Sequence, residues 1–268
     1  MIANNLTISI QNVGCDKNCP YCVSKMTGYV DNNKALMLKN VNKVLTIARS
    51  AQISAVLLTG KGEPCLNMYE VLTFTQLFSE FPLELQTNGI FLSQNLEVIK
   101  TLASQGMNVV AVSMDDDSSQ IVKKISDTVH KSGMILRVTF NVTNNSRITN
   151  FNDLLYRCKS WGVDQLTLRK VVAPNFSEET QQTKWIKDNV DILLYSKLID
   201  EMRRMCESGH HLRTLLYGTE VYDLQGIAVS YSDYCVQDDN NTNDIRSLIF
   251  QEDGHLYTSW NSKASVLF

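Results

Sequence analysis

Three cysteines lie within eight residues of the sequence, in the stretch CDKNCPYC. Cys15, Cys19 and Cys22 have the spacing C-x3-C-x2-C, so all three sulfurs can surround one metal centre. A structural zinc site takes four protein ligands, but the next cysteine is Cys65 and no histidine lies nearby. A cubane iron–sulfur cluster normally takes four thiolates as well. Three thiolates therefore leave one iron free to bind a substrate or a cofactor.

Short apolar strands alternate with helical segments over the first two thirds of the chain. The predicted strands are 6–11, 54–60, 83–89, 107–115, 134–143 and 163–172, and the predicted helices are 41–51, 67–81, 95–106, 118–133 and 151–162. Such alternation indicates right-handed crossovers and a parallel sheet, either doubly wound or a partial barrel. In both folds the active site lies at the carboxyl ends of the strands.

Residues that could do chemistry follow four consecutive predicted strands. The cysteine loop follows the first strand, GKGEP follows the second, TNG ends the third, and the Asp run 115–117 follows the fourth. These features converge on one rim of the predicted sheet, which isolated motif matches would not do.

Beyond residue 173 the pattern changes. Residues 179–209 predict one or two helices. Three predicted strands follow, at 212–218, 226–232 and 245–250, and Asp253–Gly254 predicts a hairpin turn after the last of them. We expect an α/β fold with two domains: a partial (β/α)6 TIM-like barrel over 1–173, and a C-terminal α+β cap over 174–268 that completes the substrate pocket.

Composition excludes several classes of protein. The 268 residues are 44% hydrophobic and 20% charged, with a net charge of −3, which is ordinary for a globular protein. This slightly acidic net charge does not indicate the basic face with which proteins bind long nucleic acids. No apolar run approaches the roughly 18 residues that span a bilayer, and the first residues do not resemble a signal peptide. Seven cysteines, three of them clustered, favour a metal or catalytic role in a reducing cytoplasm over a disulfide framework.

The cysteine spacing, with the aromatic Tyr21 just before the last cysteine, resembles the signature of the radical S-adenosylmethionine (radical SAM) superfamily. The resemblance covers roughly residues 5–172. LLTGKGEP is similar to the Gly-Gly-Glu segment of that family, and LQTNG, VAVSMD and LRVTFNV are similar to its strands three, four and five.

This resemblance implies that Cys15, Cys19 and Cys22 are the catalytic cysteines that hold a [4Fe–4S] cluster. The open iron would chelate the amino and carboxylate groups of S-adenosylmethionine (SAM). Reduction, by a donor such as flavodoxin or ferredoxin, would cleave SAM and release a 5′-deoxyadenosyl radical that abstracts hydrogen from the substrate. The protein would position the reactants and exclude water.

The resemblance also implies roles around the glutamate segment. Tyr21 would contact the adenine, with simple packing as the alternative. Gly62 and Glu63 would meet the methionine ammonium. Lys61 replaces the first glycine of the family segment, and it would face either the substrate or solvent.

Further cofactor contacts are expected on strands three to five. Gln86 and Asn88 are two residues apart and share a strand face. Ser113 would reach the ribose. Arg137 would pair with the methionine carboxylate unless it is a surface arginine, and Asn141 lies on the same face.

The remaining cysteines, Cys65, Cys158, Cys206 and Cys235, are isolated in the sequence. We therefore expect one cluster and four free thiols. The C-terminal segment weakly resembles the cluster-binding end of some family members, but Ser259 stands where a late cysteine would be.

The substrate is not indicated by these motifs. The polar run around Asp233, Asp238 and Asp239 would suit a ligand rich in N–H donors, with Arg246 and Lys61 as secondary contacts. An exposed acidic loop is the simpler interpretation. Our most specific hypothesis is a queuine lyase, which cleaves this free 7-deazaguanine base.

Three alternatives stay open. A peptide-modifying maturase usually carries a leader-binding module or extra clusters, and neither is visible in the sequence. A tRNA-modifying enzyme is disfavoured by the acidic net charge. A cluster that acts only as a sensor or scaffold would not need the Gly62–Glu63 pair.

Overall fold

A computed structural model of the chain describes residues 1–114, 119–144, 146–174, 179–215, 219–232, 245–260 and 263–268. Over the first part of the chain, strands and helices alternate as the sequence predicts. In chain order the elements are β1 (Ala3–Ile10), α1 (Val23–Thr27), α2 (Lys34–Ser50), β2 (Ala55–Gly60), α3 (Met68–Leu77), β3 (Leu83–Thr87), α4 (Ile90–Gln94), α5 (Leu96–Ser104), β4 (Val109–Met114), α6 (Ser119–Lys131), β5 (Ile135–Val142), α7 (Phe151–Ser160) and β6 (Gln165–Lys170). Strands β1 to β6 are parallel and adjacent in that order, which confirms the predicted partial barrel.

The C-terminal third adds strands to both edges of this sheet. Its elements are α8 (Gln181–Asn189), α9 (Ile192–Cys206), β7 (His210–Thr214), β8 (Glu220–Leu224), β9 (Ile227–Ser232), β10 (Ile245–Phe250) and β11 (Leu256–Tyr257). Strand β9 pairs in parallel with β6, and β10 pairs in parallel with β1. The order is β11-β10-β1-β2-β3-β4-β5-β6-β9-β8-β7, and the described strands leave the sheet open between its two ends.

The predicted boundary at residue 173 therefore does not divide the sheet. Strands β9 and β10 belong to the segment 174–268, which was expected to form a separate cap, and they extend the sheet of the first segment beside β6 and β1. The apolar pattern of each strand was visible in the sequence, but its position at a sheet edge was not. Strand β8 was not predicted. In the described ranges, no helix is long and apolar enough to cross a membrane.

Strand β1 faces two environments. Its outward residues Leu6, Ile8 and Ile10 are at most 1% exposed and join a continuous apolar cluster with the surrounding helices. Burial of each such side chain stabilises the fold by about 1.5–3 kcal/mol. The alternate residues Asn5 and Thr7 point into the barrel and line a cavity. The helices thus supply the apolar packing, which leaves the barrel interior available for polar groups.

The same alternation places polar side chains of neighbouring strands side by side on the inner face of the barrel. The register sets Ser113 of β4 opposite Thr139 of β5, and Asn141 of β5 opposite Arg169 of β6. These rows run toward the carboxyl ends of the strands, where the predicted site residues lie.

The predicted turn at Asp253–Gly254 is confirmed as the connection between β10 and β11. Gly254 has φ = +83°, a conformation that favours glycine. Its carbonyl accepts a hydrogen bond from Asn40 Nδ2 of α2 at 2.8 Å. The turn is therefore packed against a helix.

Replacing Gly254 with alanine should destabilise the fold by about 2–4 kcal/mol, because backbone strain and overpacking add. The new Cβ would lie 2.7 Å from Met37 N in α2. Gly226, in the turn between β8 and β9, has a similar φ of +88° but open space around it. Gly226→Ala should therefore cost only about 1 kcal/mol. Urea unfolding of both variants measures the difference; equal costs would contradict the packing argument.

Candidate active site

A cavity of about 470 Å³ opens at the carboxyl ends of the strands. Most of the residues predicted from the sequence line this one space. They are Cys15, Cys19, Tyr21, Cys22, Lys61, Gly62, Glu63, Gln86, Asn88, Ser113, Asn141 and Arg246. The convergence expected from the strand order is therefore found in the structure.

Arg137 does not line the cavity. It faces the barrel interior like Asn141, but it lies four residues nearer the amino end of β5. Its guanidinium forms an ion pair with Glu84 and donates to Gln165 Oε1 at 2.8 Å. The predicted contact with a methionine carboxylate has no support in this geometry, because four residues of strand correspond to about 13 Å and Glu84 already pairs with the guanidinium.

Several predicted residues lie outside the described residues: Asp115, Asp116, Asp117, Asp233, Cys235, Asp238 and Asp239. The other scattered cysteines, Cys65, Cys158 and Cys206, are free and buried. Burial raises the pKa of the Cys158 thiol to about 12. That thiol stays protonated and is unsuited to metal binding, since a metal ligand must be a thiolate.

The donor set on the cavity wall fits a cluster with an open position. Cys15, Cys19 and Cys22 all line the cavity, and the described part of its wall offers neither a fourth cysteine nor a histidine. No group of three or more His, Cys, Asp or Glu side chains in the described residues is arranged for a single metal ion. Three thiols without a fourth ligand fit an iron–sulfur cluster with one open iron better than a closed structural zinc site.

The backbone leading to the first cysteine is held by two buried carboxylates. Gln11 N donates to Glu70 Oε2 at 2.9 Å, and Asn12 N donates to Glu252 Oε2 at 2.9 Å. Gly14 N in turn donates to the Asn12 side chain at 2.9 Å. Buried N–H groups need such partners, so side chains from α3 and from the C-terminal hairpin determine the path of the cysteine loop.

Gly62 lies directly against this loop. A Cβ at residue 62 would be 2.2 Å from Asn12 Oδ1 and 2.3 Å from Gly14 O. The contact is reinforced by the Glu63 N–H, which donates to Gly14 O at 2.9 Å. Glycine is required here by close approach of two backbones.

The Glu63 carboxylate, 5% exposed, joins the β2 loop to the end of β3. Its Oε1 accepts from Cys65 N at 3.0 Å and from Thr87 Oγ1 at 2.6 Å, and its Oε2 accepts from Asn88 N at 2.8 Å. The Asn88 side chain continues the chain of contacts by donating to Asp16 Oδ1 at 2.6 Å. Glu63 thus helps to fix the wall that faces the cysteines.

Glu252 and Lys61 form a buried charged group under the cysteine loop. Burial raises the pKa of the Glu252 carboxyl, while hydrogen bonds from Asn12 and Ser9 act in the opposite direction. Burial lowers the pKa of the Lys61 ammonium, against the attraction of Glu252. Lys61 Nζ donates to Gly28 O at 2.6 Å. Its ammonium therefore anchors the segment after α1, instead of reaching freely into the cavity or into solvent.

Tyr21 lines the cavity and also packs on another aromatic residue. Its ring centroid lies 5.6 Å from that of Trp185 in α8. The two rings join a small apolar cluster around Met26 and Ile186. This contact connects the cysteine loop to the C-terminal third of the chain.

Three residues at the cavity or supporting its loop were not predicted from the sequence. Arg169 lines the cavity near the end of β6, where the rule about carboxyl ends of strands could have found it. Trp260 lines the cavity from beyond the C-terminal hairpin. Glu252 had no local signal, since its partner Asn12 is 240 residues away.

Comparison with known proteins gives a family match. The sequence profile described as "Radical SAM superfamily" matches residues 10–152. GTP 3′,8-cyclase of Clostridium acetobutylicum is 34% identical over 119 residues, which cover 42% of this chain and 35% of that protein. The 7-carboxy-7-deazaguanine synthase of the same species is 31% identical over 108 residues, which cover 40% of this chain and 48% of that protein. The chain thus matches less than half the length of either relative.

A solved structure shares the fold over nearly the whole chain. SuiB of Streptococcus suis, bound to S-adenosylmethionine, superposes with a TM-score of 0.62 at 11% identity. The superposition covers 97% of this chain and 60% of that chain. The likeness therefore extends beyond the region of the family match, into the C-terminal strands.

Gly62→Ala should displace the cysteine loop and reduce the iron bound after anaerobic reconstitution well below the about four irons per chain of a full cluster. Gly133→Ala is the control, because Gly133 lies between α6 and β5, outside the cavity wall, and a Cβ there would meet nothing within 4 Å. Iron and sulfide analysis, with circular dichroism to verify folding, makes the comparison. Full iron content in Gly62→Ala would contradict the close-approach argument.

Glu252→Gln should lower the free energy of unfolding by about 1–3 kcal/mol. The amide keeps the size of the side chain, but its NH2 group cannot accept from Asn12 N or from the Ser9 hydroxyl, so a buried donor loses its partner. Glu80→Gln is the control, because Glu80 pairs with Arg49 on the exposed surface. Loss of this exposed ion pair should leave the free energy of unfolding unchanged. Denaturant unfolding of both variants tests this; equal midpoints would remove Glu252 from the support of the loop.

Proposed function

Because this chain belongs to the radical SAM superfamily, we propose that Cys15, Cys19 and Cys22 hold its [4Fe–4S] cluster and that the adjoining cavity binds SAM together with a small-molecule substrate. Enzymes of this superfamily use the cluster and SAM, which on reduction supply a 5′-deoxyadenosyl radical that abstracts hydrogen from the substrate. The observation that carries the proposal is the set of three thiols, without a fourth cysteine or a histidine in the described wall, around one cavity.

In this proposal the neighbouring side chains orient SAM. Gly62 and Glu63 line the cavity beside the cysteines. The Glu63 carboxylate accepts three hydrogen bonds from protein donors, so it is fixed before SAM arrives and its remaining lone pairs can accept from the methionine ammonium. Ser113 would reach the ribose hydroxyls, and Tyr21 would lie against the adenine. Such preorganisation lowers the cost of binding.

Further proposed contacts come from Gln86, Asn88 and Asn141, whose side chains line the same space. Asn88 also bonds to Asp16 in the cysteine loop, so it would hold the loop and the cofactor together. Residues of the C-terminal segment, including Trp260, complete the wall and would exclude water from the radical.

A purine-like small molecule is the substrate class we propose. It is supported by the names of the two relatives, one a GTP cyclase and the other a 7-deazaguanine synthase. Queuine, cleaved by a lyase reaction, is the narrower hypothesis. Of its predicted contacts, Arg246 lines the cavity, whereas Lys61 is bonded to protein and the three aspartates lie outside the described residues. The peptide and tRNA alternatives, the electron donor and the cytoplasmic location stay predictions.

Anaerobic reconstitution of the wild type and of Cys19→Ala and Cys206→Ala tests the cluster assignment. The wild type should bind about four irons per chain and form 5′-deoxyadenosine from SAM after reduction with dithionite. Cys19→Ala should lose both properties. Cys206→Ala should keep both, because Cys206 lies in α9, away from the cavity. Cleavage of SAM that survives in Cys19→Ala would overturn the proposal.

The same assay with queuine, GTP or no added substrate tests the substrate class. Release of 5′-deoxyadenosine that rises with queuine would support the lyase hypothesis. A rate unaffected by queuine would remove this hypothesis and leave the radical chemistry intact.

A further inference from the structure

Arg169 is a cation on the cavity wall without a partner in the described structure. It is the last residue but one of β6, and it lines the cavity. Its Nε is buried and has no hydrogen-bond partner in the described residues. A buried polar group on a charged side chain is costly to leave unpaired. The arrangement is therefore suited to a ligand that brings an acceptor.

Other cations near the cavity are already satisfied by protein groups. Lys61 donates to Thr27 and to Gly28. Lys25 donates to Asn18. Arg137, lower in the barrel interior, is paired with Glu84. Arg169 differs from these residues because the described structure gives its side chain no such acceptor.

The charges along the cavity wall point in the same direction. In the described part of the wall the cations are Lys17, Lys25, Lys61, Arg169, Lys170 and Arg246, and the carboxylate is Glu63. The chain as a whole carries a net charge of −3, so positive groups are concentrated where the ligand enters. A cleft lined by one sign of charge attracts ligands of the opposite sign.

Arg169 and the cysteines are attached to different strands of the barrel. The cysteines follow β1, whereas Arg169 lies on β6, five strands further along the sheet. The carboxylate of SAM would bind at the open iron beside the cysteines. Arg169 would then face the part of the cavity that the substrate occupies, beside Asn141, its register partner on β5.

We propose that Arg169 binds a carboxylate or phosphate group of the substrate, with the Asn141 amide as a neighbouring donor. A guanidinium matches either anion with two parallel hydrogen bonds. The inference rests on the proposed function and narrows its substrate class to anionic purine-like molecules. Free queuine carries no anionic group, so this proposal disfavours it as the substrate.

Isothermal titration calorimetry on the reconstituted, SAM-loaded protein tests the proposal with four probes: GTP, inorganic phosphate, acetate and uncharged guanosine. GTP should bind more tightly than guanosine, and phosphate or acetate should compete with GTP.

Arg169→Gln should weaken GTP binding at least about tenfold, the loss expected for a charged hydrogen bond. Arg169→Lys should recover part of the affinity, because it keeps the charge but not the paired donors. Arg49→Gln, an exposed arginine far from the cavity, is the matched control and should bind like the wild type.

Two results would overturn the proposal. Wild-type protein that binds none of the three anions better than guanosine would show that the cavity does not select an anion. Loss of SAM affinity in Arg169→Gln, measured by equilibrium dialysis, would assign the guanidinium to the SAM carboxylate. Iron content and basal formation of 5′-deoxyadenosine are measured on the same samples, so a failure of the radical SAM assignment itself is recognised separately.

Discussion

The close contact between the cysteine loop and the loop after β2 is the constraint on which the rest of the site depends. Gly62 has no room for a side chain because Asn12 and Gly14 lie against it. The contact is possible only if the amide groups of the cysteine loop are satisfied from elsewhere, and the carboxylates of Glu70 and Glu252 accept from them. The backbone that leads into the first cysteine is therefore held by hydrogen bonds that involve none of the three thiols.

The barrel divides its tasks between two faces of the same strands. The outward face packs against helices and supplies most of the apolar burial. The inward face carries polar rows that rise toward the cavity, from the Arg137–Glu84 pair at the lower level to Asn141 and Arg169 at the rim. Because stability comes from the outer layer, the inner rim can carry a cation such as Arg169 that the described protein groups leave without an acceptor.

Local patterns predicted the fold and the cysteines, and long-range contacts account for what was missed. Alternation of strands and helices is a local property, and so is the C-x3-C-x2-C spacing. The attachment of β10 beside β1, and the use of Glu252 as an acceptor for Asn12, depend on pairs of residues that only the folded chain brings together. Arg137 was assigned to the cofactor from the family resemblance and its place on the predicted fifth strand. The alternation of side chains along a strand does not show that Arg137 lies near the amino end of β5, or that Glu84 lies beside it.

The insertion of β10 beside β1 also has a consequence for the order of events during synthesis. Asn12 leaves the ribosome 240 residues before its acceptor Glu252. The nascent chain can complete the inner strands before it can complete the loop that carries the thiols. The support that Glu252 gives to this loop is therefore absent until residue 252 has been synthesised, and a chain that stops before it would carry the three thiols without that support.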